Sequence, residues 1–510
     1  MDFSNNAQYI TVFVLYFAIF IGFGVYQGKK VQNEEDYAIG GRDIPGWAAA
    51  LSERATGESS WALLGLPGWA YVSGMSCFWV LFGCFIGIAI SWAILAFRIR
   101  ALAEEEDALS FVDLISKLHP SMDGYIRTAG SLVIVFFFFF YIGAQLLGGG
   151  KVFNTLFGLS SDVGMLLTVL IIVPYTVYGG FKSVIYTDCI QGFLMVCALA
   201  LAPILGFFLL ESKPDIFAPG VFAALAKAGP EYLNIMGSGE GWAMFAGVMG
   251  GFAYFFGYLG GTPQLTMRFM AIKDYKNTIK GRNIGIIWTL VAYFGACSIG
   301  WLGIALWGPT GLTDPEAVFP MVMLEFFHPA LAALFIVAAF AALISTADSL
   351  LVLASTEFSE NIMKRFFSKE HNPKKDLFFS RCMTAVMAVL ALGAAKVVPS
   401  NLIFNIVGYV WSGIGNPFSV IILLTLFWRR FSSKAAFAVI CTGMPFTIFW
   451  IMSGLDTKII SSLFMTFFVC LIVGVVGSFI WPQRNEVPDR ELVFLNKETA
   501  TNTKTATSKA

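Results

Sequence analysis

The chain has 510 residues, of which 57% are hydrophobic and only 13% charged, with 51 phenylalanines and a mean hydropathy of +0.73. Such a composition lies far outside the soluble globular range and describes a polytopic membrane protein, all-α by the length of its apolar runs. The formal net charge is zero, which gives no footing for a nucleic-acid partner or for tethering to acidic lipid.

The first apolar run, 8–27, follows Asp2 with no basic residue and no small-residue cleavage site, so it reads as a retained helix and not a signal peptide. Runs of about 20 residues, the length that crosses a hydrocarbon core, follow in order. They fall at 46–71, 75–97, 128–150, 162–179, 184–210, 241–262, 284–307, 329–358, 379–398, 401–428, 435–454 and 459–481, thirteen spans in all. The external loop 211–240 is expected to carry a short amphipathic helix near 217–228, and 319–327 a short helix outside the membrane. The eight cysteines stand singly without a CxxC pair, and His119, His328 and His371 have no metal-ligand spacing.

An odd number of spans puts the termini on opposite sides, and the basic residues test this. With the loop after the first span taken as cytoplasmic, twenty-seven Lys and Arg fall inside, Arg268 among them. Lys151, Lys213, Lys227, Lys396 and Lys458 fall outside, and Arg54 lies within a span, which accounts for all 33. The N-terminus is therefore expected outside and the C-terminus in the cytoplasm, in the cell inner (plasma) membrane. Residues 482–510 are polar and are expected to form a disordered tail, too short for an appended sensor domain.

The second span carries the string LSERATGESSWALLGLPG, residues 51–68, with Glu53, Arg54 and Glu58 at membrane depth. Charge there is expensive and faces a protein interior or a cavity. Small residues at 55–60 permit a broken helix, and GYLGGTP at 257–263 gives the seventh span a matching interruption. Paired interruptions five spans apart point to inverted repeats, spans two to six and seven to eleven, with a site at the breaks; close helix packing through glycine is the alternative. Arg54 and Glu58 are spaced to pair along one face, unless the helix breaks between them.

In the ninth span Ser345 and Ser349 share a helix face with Thr346 flanking them, beside Asp348. Two hydroxyls with carbonyls freed at a break suit a hard cation such as sodium; back-bonding to the preceding turn is the other reading. Asp188 either caps the sixth span or helps hold a cation. Among the many aromatics, Trp61, Tyr141, Tyr254, Phe255, Tyr258 and Trp411 stand near the breaks or beside Gln145 and Asn416.

Six strings together resemble the sodium/solute symporter family, most nearly its bacterial sodium/proline symporters, over the whole thirteen-span region 1–481. They are EEDYAIGGRDIPGW, LSERATGESSWALLGLPG, YTVYGGFKSVIYTDCIQG, PQLTMRFMA, ISTADSLLVLAS and GYVWSGIGNPF. The resemblance implies a five-plus-five inverted-repeat fold and sodium-coupled import of a small solute by alternating access, with no enzymatic chemistry and no obligate protein partner. It implies a sodium site of the carbonyls of Ala55, Glu58 and Ala342 with the hydroxyls of Ser345 and Thr346. Asp188 and Ser349 match a second or transient sodium site, and Ser59, Trp61, Tyr141, Phe255 and Tyr258 match proline-pocket positions. A solute carboxylate is expected at Ser59 and Ser60, on free N–H groups of the half-helix after the break. Where proline symporters carry an aspartate this chain has Gly57, and its acid comes one residue later, at Glu58. Rival readings are a sodium symporter for a sugar, pantothenate, choline or other osmolyte, a proton-coupled carrier, and a membrane sensor or channel.

Overall fold

The computed structural model describes residues 3–29, 34–363, 373–397 and 400–488. In hydrocarbon the backbone has no water to bond, so a chain this apolar must satisfy its N–H and C=O groups within helices. Among the described residues the secondary structure is helical throughout, with one isolated backbone bridge, Ile44 to Ile272, and no strand.

The helices that position the site are α1 (Phe3–Gly28), α2 (Gly46–Ser60), α3 (Leu66–Ser73), α4 (Phe78–Ile90), α5 (Asp123–Phe157) and α6 (Ser161–Leu210). In the second half they are α7 (Tyr254–Gly257), α8 (Pro263–Ala271), α9 (Tyr275–Trp307), α10 (Pro329–Phe358), α11 (Ile403–Val410) and α12 (Asn416–Phe427). Nine helical stretches among the described residues are long and apolar enough to cross a membrane, and three shorter apolar helices accompany them. The short helices expected outside the membrane are present at Val221–Ala228 and Val318–Phe326.

Helix starts follow local chemistry. Asp274 accepts the N–H of Asn277 at 2.8 Å ahead of α9, and proline opens both α8 and α10, where a missing N–H is harmless. The alanine-rich α10 is buried along almost its whole length, packed against α1, α2, α5 and α6. Small residues let backbones approach. A Cβ on Gly295 would stand 1.8 Å from the carbonyl oxygen of Leu199, so α9 meets α6 there only as glycine.

Of the expected tail, residues 482–488 are described: Asn485 gives its side-chain amide to the carbonyls of Thr425 and Trp428, at 2.7 and 3.1 Å, closing the C-terminus of α12, and Val487 is buried. Positions 489–510 lie outside the described residues. Arg268, counted with the cytoplasmic loops, is fully buried on α8. Its helix follows the second break, so the chain is still deep in the protein where a regular span would have ended.

Candidate ion and solute site

Both interruptions are present. The first falls at Ser59, whose φ of 54° and ψ of −168° lie in a region that only glycine visits freely; a π-helical segment, Trp61–Gly65, follows before α3. Backbone held in this way stores strain and clusters at functional sites. The second falls between α7 and α8, where Gly260 has φ 80°. The Ile44 bridge ties the two together: its N–H reaches the carbonyl of Ala271 at 3.2 Å and its carbonyl takes the N–H of Lys273 at 3.0 Å. The entry to the first broken helix is thus pinned to the exit from the second.

Against the first break stands α10. Ser345 Oγ lies 3.1 Å from the Ala55 carbonyl and 2.9 Å from that of Ala342, and Thr346 Oγ1 lies 2.9 Å from the Thr56 carbonyl and 3.1 Å from that of Ala342. Five neutral oxygens, all buried, therefore meet between α2 and α10. A hydroxyl both donates and accepts, so turning its O–H aside presents lone pairs to a cation. Of the carbonyls implied by the resemblance, Ala55 and Ala342 are in this set; that of Glu58 instead accepts the Trp61 N–H across the break, and Thr56 stands with the group. Thr56 was visible in the sequence only as one of a run of small residues.

Asp188 is not a cap. The helix α6 kinks at Gly180, φ 61° and ψ −173°, and Asp188 lies two turns beyond, fully buried. Its Oδ2 accepts from Ser52 Oγ at 2.7 Å, Thr56 Oγ1 at 3.2 Å and Arg268 Nη2 at 3.2 Å. Arg268 Nη2 also donates to Ser349 Oγ at 2.6 Å and Thr56 Oγ1 at 3.0 Å, while Nη1 donates to Gln264 O at 2.7 Å. Asp188 and Ser349 share Thr56 Oγ1 and Arg268 Nη2 as partners. A guanidinium that sequence reasoning missed is already between them.

The buried charges of α2 keep their pairing, because the break comes after Glu58 and not before it. Arg54 Nη1 donates to Glu58 Oε1 at 2.7 Å, and its Nε and Nη2 go to Glu53. Glu53 also accepts from Trp92 Nε1 at 3.0 Å.

Around Ser59 and Trp61 the ring contacts differ from the sequence-based list. Trp61 lies 5.1 Å from Tyr254 and 6.0 Å from Tyr293, centroid to centroid, and Tyr258 lies 4.4 Å from Trp411. Phe255 packs its ring on Phe252 and Phe256, with its backbone against Gly87 of α4, and its neighbour Tyr254 meets Trp61 in its stead. The N–H groups expected to be free for a carboxylate are occupied: Gln145 Oε1 takes both the N–H and the hydroxyl of Ser60, at 3.0 and 2.8 Å, and Ser59 Oγ takes the Trp61 N–H at 3.0 Å. Poorly partnered donors lie nearby instead. Tyr141 Oη, which sits beside Ser59 and Trp411, Gln145 Nε2, and the indole nitrogens of Trp61 and Trp411 are all buried, and none makes a well-formed hydrogen bond.

A cavity of about 440 Å³, lined by Trp69, Trp242, Tyr254, Phe404, Asp456 and Lys458 among others, opens on the far side of these rings. Phe404 stacks on Trp69 at 4.8 Å and on Trp61 at 5.7 Å, so rings separate the cavity from Trp61.

A sequence model of the sodium:solute symporter family matches residues 37–443. The chain belongs to that family. It is 31% identical over 470 residues to the osmoregulated proline transporter OpuE of Bacillus subtilis (strain 168), spanning 91% of this chain and 93% of the relative. Over 481 residues it is 31% identical to the high-affinity proline transporter PutP of the same organism, spanning 92% and 99%. The sodium/proline symporter of Staphylococcus aureus (strain JH9) matches at 31% over 507 residues, 95% and 96%. A solved Na⁺-coupled sialic acid symporter, in a substrate-bound outward-open state, has the same fold: the TM-score is 0.77 over 94% of this chain and 98% of that one, at 21% identity. Membership makes the protein a membrane transporter driven by sodium, and not an enzyme.

Proposed function

We propose that the protein couples sodium entry to the import of proline or a closely related amino acid across the cell membrane. The observation that carries the reading is the set of five neutral oxygens from Ala55, Thr56, Ala342, Ser345 and Thr346, which joins the broken segment of α2 to α10. Sodium, as cargo, draws on these oxygens and holds the break in shape; each cargo then raises the affinity for the other by the same factor. The proline relatives support the solute, whose carboxylate suits the poorly partnered donors of Tyr141, Gln145 and Trp411. Trp61, Tyr254 and Tyr258 supply the apolar walls for a pyrrolidine ring, with Ser59 and Ser60 shaping the floor.

The finer architecture belongs to the same proposal. The stretch Gly46–Glu105 has 60 residues and at about 1.5 Å per residue is near 90 Å of helix, enough for two crossings of about 30 Å. Counted twice and joined to the eight other long stretches and the three shorter helices, it gives thirteen spans, with two to six and seven to eleven as inverted repeats. With the N-terminus outside, the cavity at Trp69 and Trp242 is an outer vestibule closed by Phe404. Asp188 and Ser349 serve a second, transient sodium only when Arg268 withdraws.

Sodium activation of uptake tests the site. Ser345→Ala or Thr346→Ala each removes one ligand and raises the half-activating sodium concentration about tenfold, as loss of about 1.4 kcal/mol requires. Unchanged sodium curves in both variants would sink the site.

A further inference from the structure

Glu53, Arg54 and Glu58 are buried together, two carboxylates sharing one guanidinium. Glu53 is fully engaged, by Arg54 and by the Trp92 indole. Glu58 is not: Oε1 accepts from Arg54, while Oε2 is buried with only the Tyr293 hydroxyl beside it, set too poorly for a well-formed hydrogen bond. A carboxylate oxygen so placed is costly unless a cation or a strong donor meets it. Sodium already has its own neutral set on the α10 side of α2, whereas Glu58 stands over Arg54 with Tyr293 of α9 beside it.

The surroundings of that oxygen suit one chemistry. The Tyr293 hydroxyl bonds that of Tyr258 at 2.7 Å, the Tyr293 ring lies 6.0 Å from Trp61, and Tyr258 lies 4.4 Å from Trp411. A carboxylate flanked by electron-rich rings attracts an ammonium through both charge and ring quadrupole. Through Trp411, which packs on Tyr258, the same rings lead to Tyr141 Oη beside Ser59 and to Nε2 of Gln145, the partner of Ser60, donors suited to an anion. An acid at one end and donors at the other describe a receptor for a zwitterion.

We propose that Glu58 Oε2 receives the cationic nitrogen of the solute and is the residue by which this carrier selects zwitterions over neutral or purely anionic solutes. The inference rests on the sodium-symport reading and specifies the solute class of the same site.

Two pairs of probes differ only at that nitrogen: proline against tetrahydro-2-furoic acid, and glycine betaine against 3,3-dimethylbutanoate. Binding to the purified full-length chain in saturating sodium, read by thermal shift, is expected to favour a zwitterion by about tenfold or more over its partner in at least one pair. In Glu58→Gln the pair is expected to fall within about threefold of each other, with the half-saturating sodium concentration, measured without solute, changed by no more than about twofold. Equal binding of both members of each pair by the unsubstituted chain, or a preference that survives Glu58→Gln, overturns the proposal. If Glu58→Gln fails to fold, Glu58→Asp and the ligand pairs on the unsubstituted chain still decide it. Sodium-driven uptake of the probes without that preference defeats this inference alone; uptake indifferent to sodium defeats the symport reading beneath it.

Discussion

The charged residues buried in this membrane protein divide by what balances them. Arg268 and Asp188 cancel, and breaking a buried pair by removing one partner leaves the other uncompensated. Arg268→Gln is therefore expected to destabilise by about 3–5 kcal/mol, with Arg268→Gln combined with Asp188→Asn recovering much of the loss; thermal unfolding of the detergent-solubilised protein measures both. A double variant no more stable than the single one would show that Arg268 acts chiefly through Gln264 and Ser349. Little of this pair was legible in the sequence. Asp188 read as a helix cap or a cation ligand, the cap because hydropathy starts its span at 184, whereas the helix resumes at the Gly180 kink. Arg268 looked like a loop charge for the converse reason, since a break lets chain follow at a depth the run of apolar residues does not reveal. The oxygen-rich face of Ser345 and Thr346 was legible from helical spacing, but not that each hydroxyl bonds back to Ala342 and also reaches a carbonyl of α2.

Among the helices, the breaks were readable to within a few residues from glycine, proline and small side chains, and the structure adds which residue bears the strain. Ser59 adopts a glycine-like conformation without being glycine. Ser59→Gly is expected to fold within about 1 kcal/mol of the parent, whereas Ser59→Val should lose about 2 kcal/mol or more, since a β-branched side chain tolerates that backbone least. Comparable melting temperatures for the two would contradict the break. A further control sits at Phe404. Glu316 is buried and takes the N–H groups of Ile403 and Phe404 at 3.0 and 2.9 Å, while Lys151 Nζ lies 2.8 Å from it. This carboxylate caps α11 from another helix, a role no local pattern announces. Glu316→Ala leaves two helix-end donors unpaired and should cost about 2 kcal/mol, and it should loosen Phe404 from between Trp69 and Trp61. Faster modification of a cysteine at Trp61 in that background would report the loosening; an unchanged rate would separate the cap from the ring stack.

The proposed orientation of the whole chain rests on the basic residues; moving Arg268 from the loops to the interior leaves twenty-six on the proposed cytoplasmic side against five outside. The bias is hardly altered. In a background lacking the exposed Cys382 and Cys441, a membrane-impermeant maleimide should label Lys458→Cys in intact cells and Lys434→Cys only after permeabilisation. The reverse pattern would invert the topology and make the vestibule at Trp69 an inner one.

One sodium moving inward down about 100 mV contributes about 2.3 kcal/mol, enough for near 50-fold accumulation before any chemical gradient is added. Proteoliposomes holding the full chain, given an inward sodium gradient and labelled proline, read that coupling. Accumulation above the external concentration, abolished when the gradient is collapsed and shifted to higher sodium by Ser345→Ala, is the expected result. Proline that only equilibrates, or enters at the same rate without sodium, would contradict it.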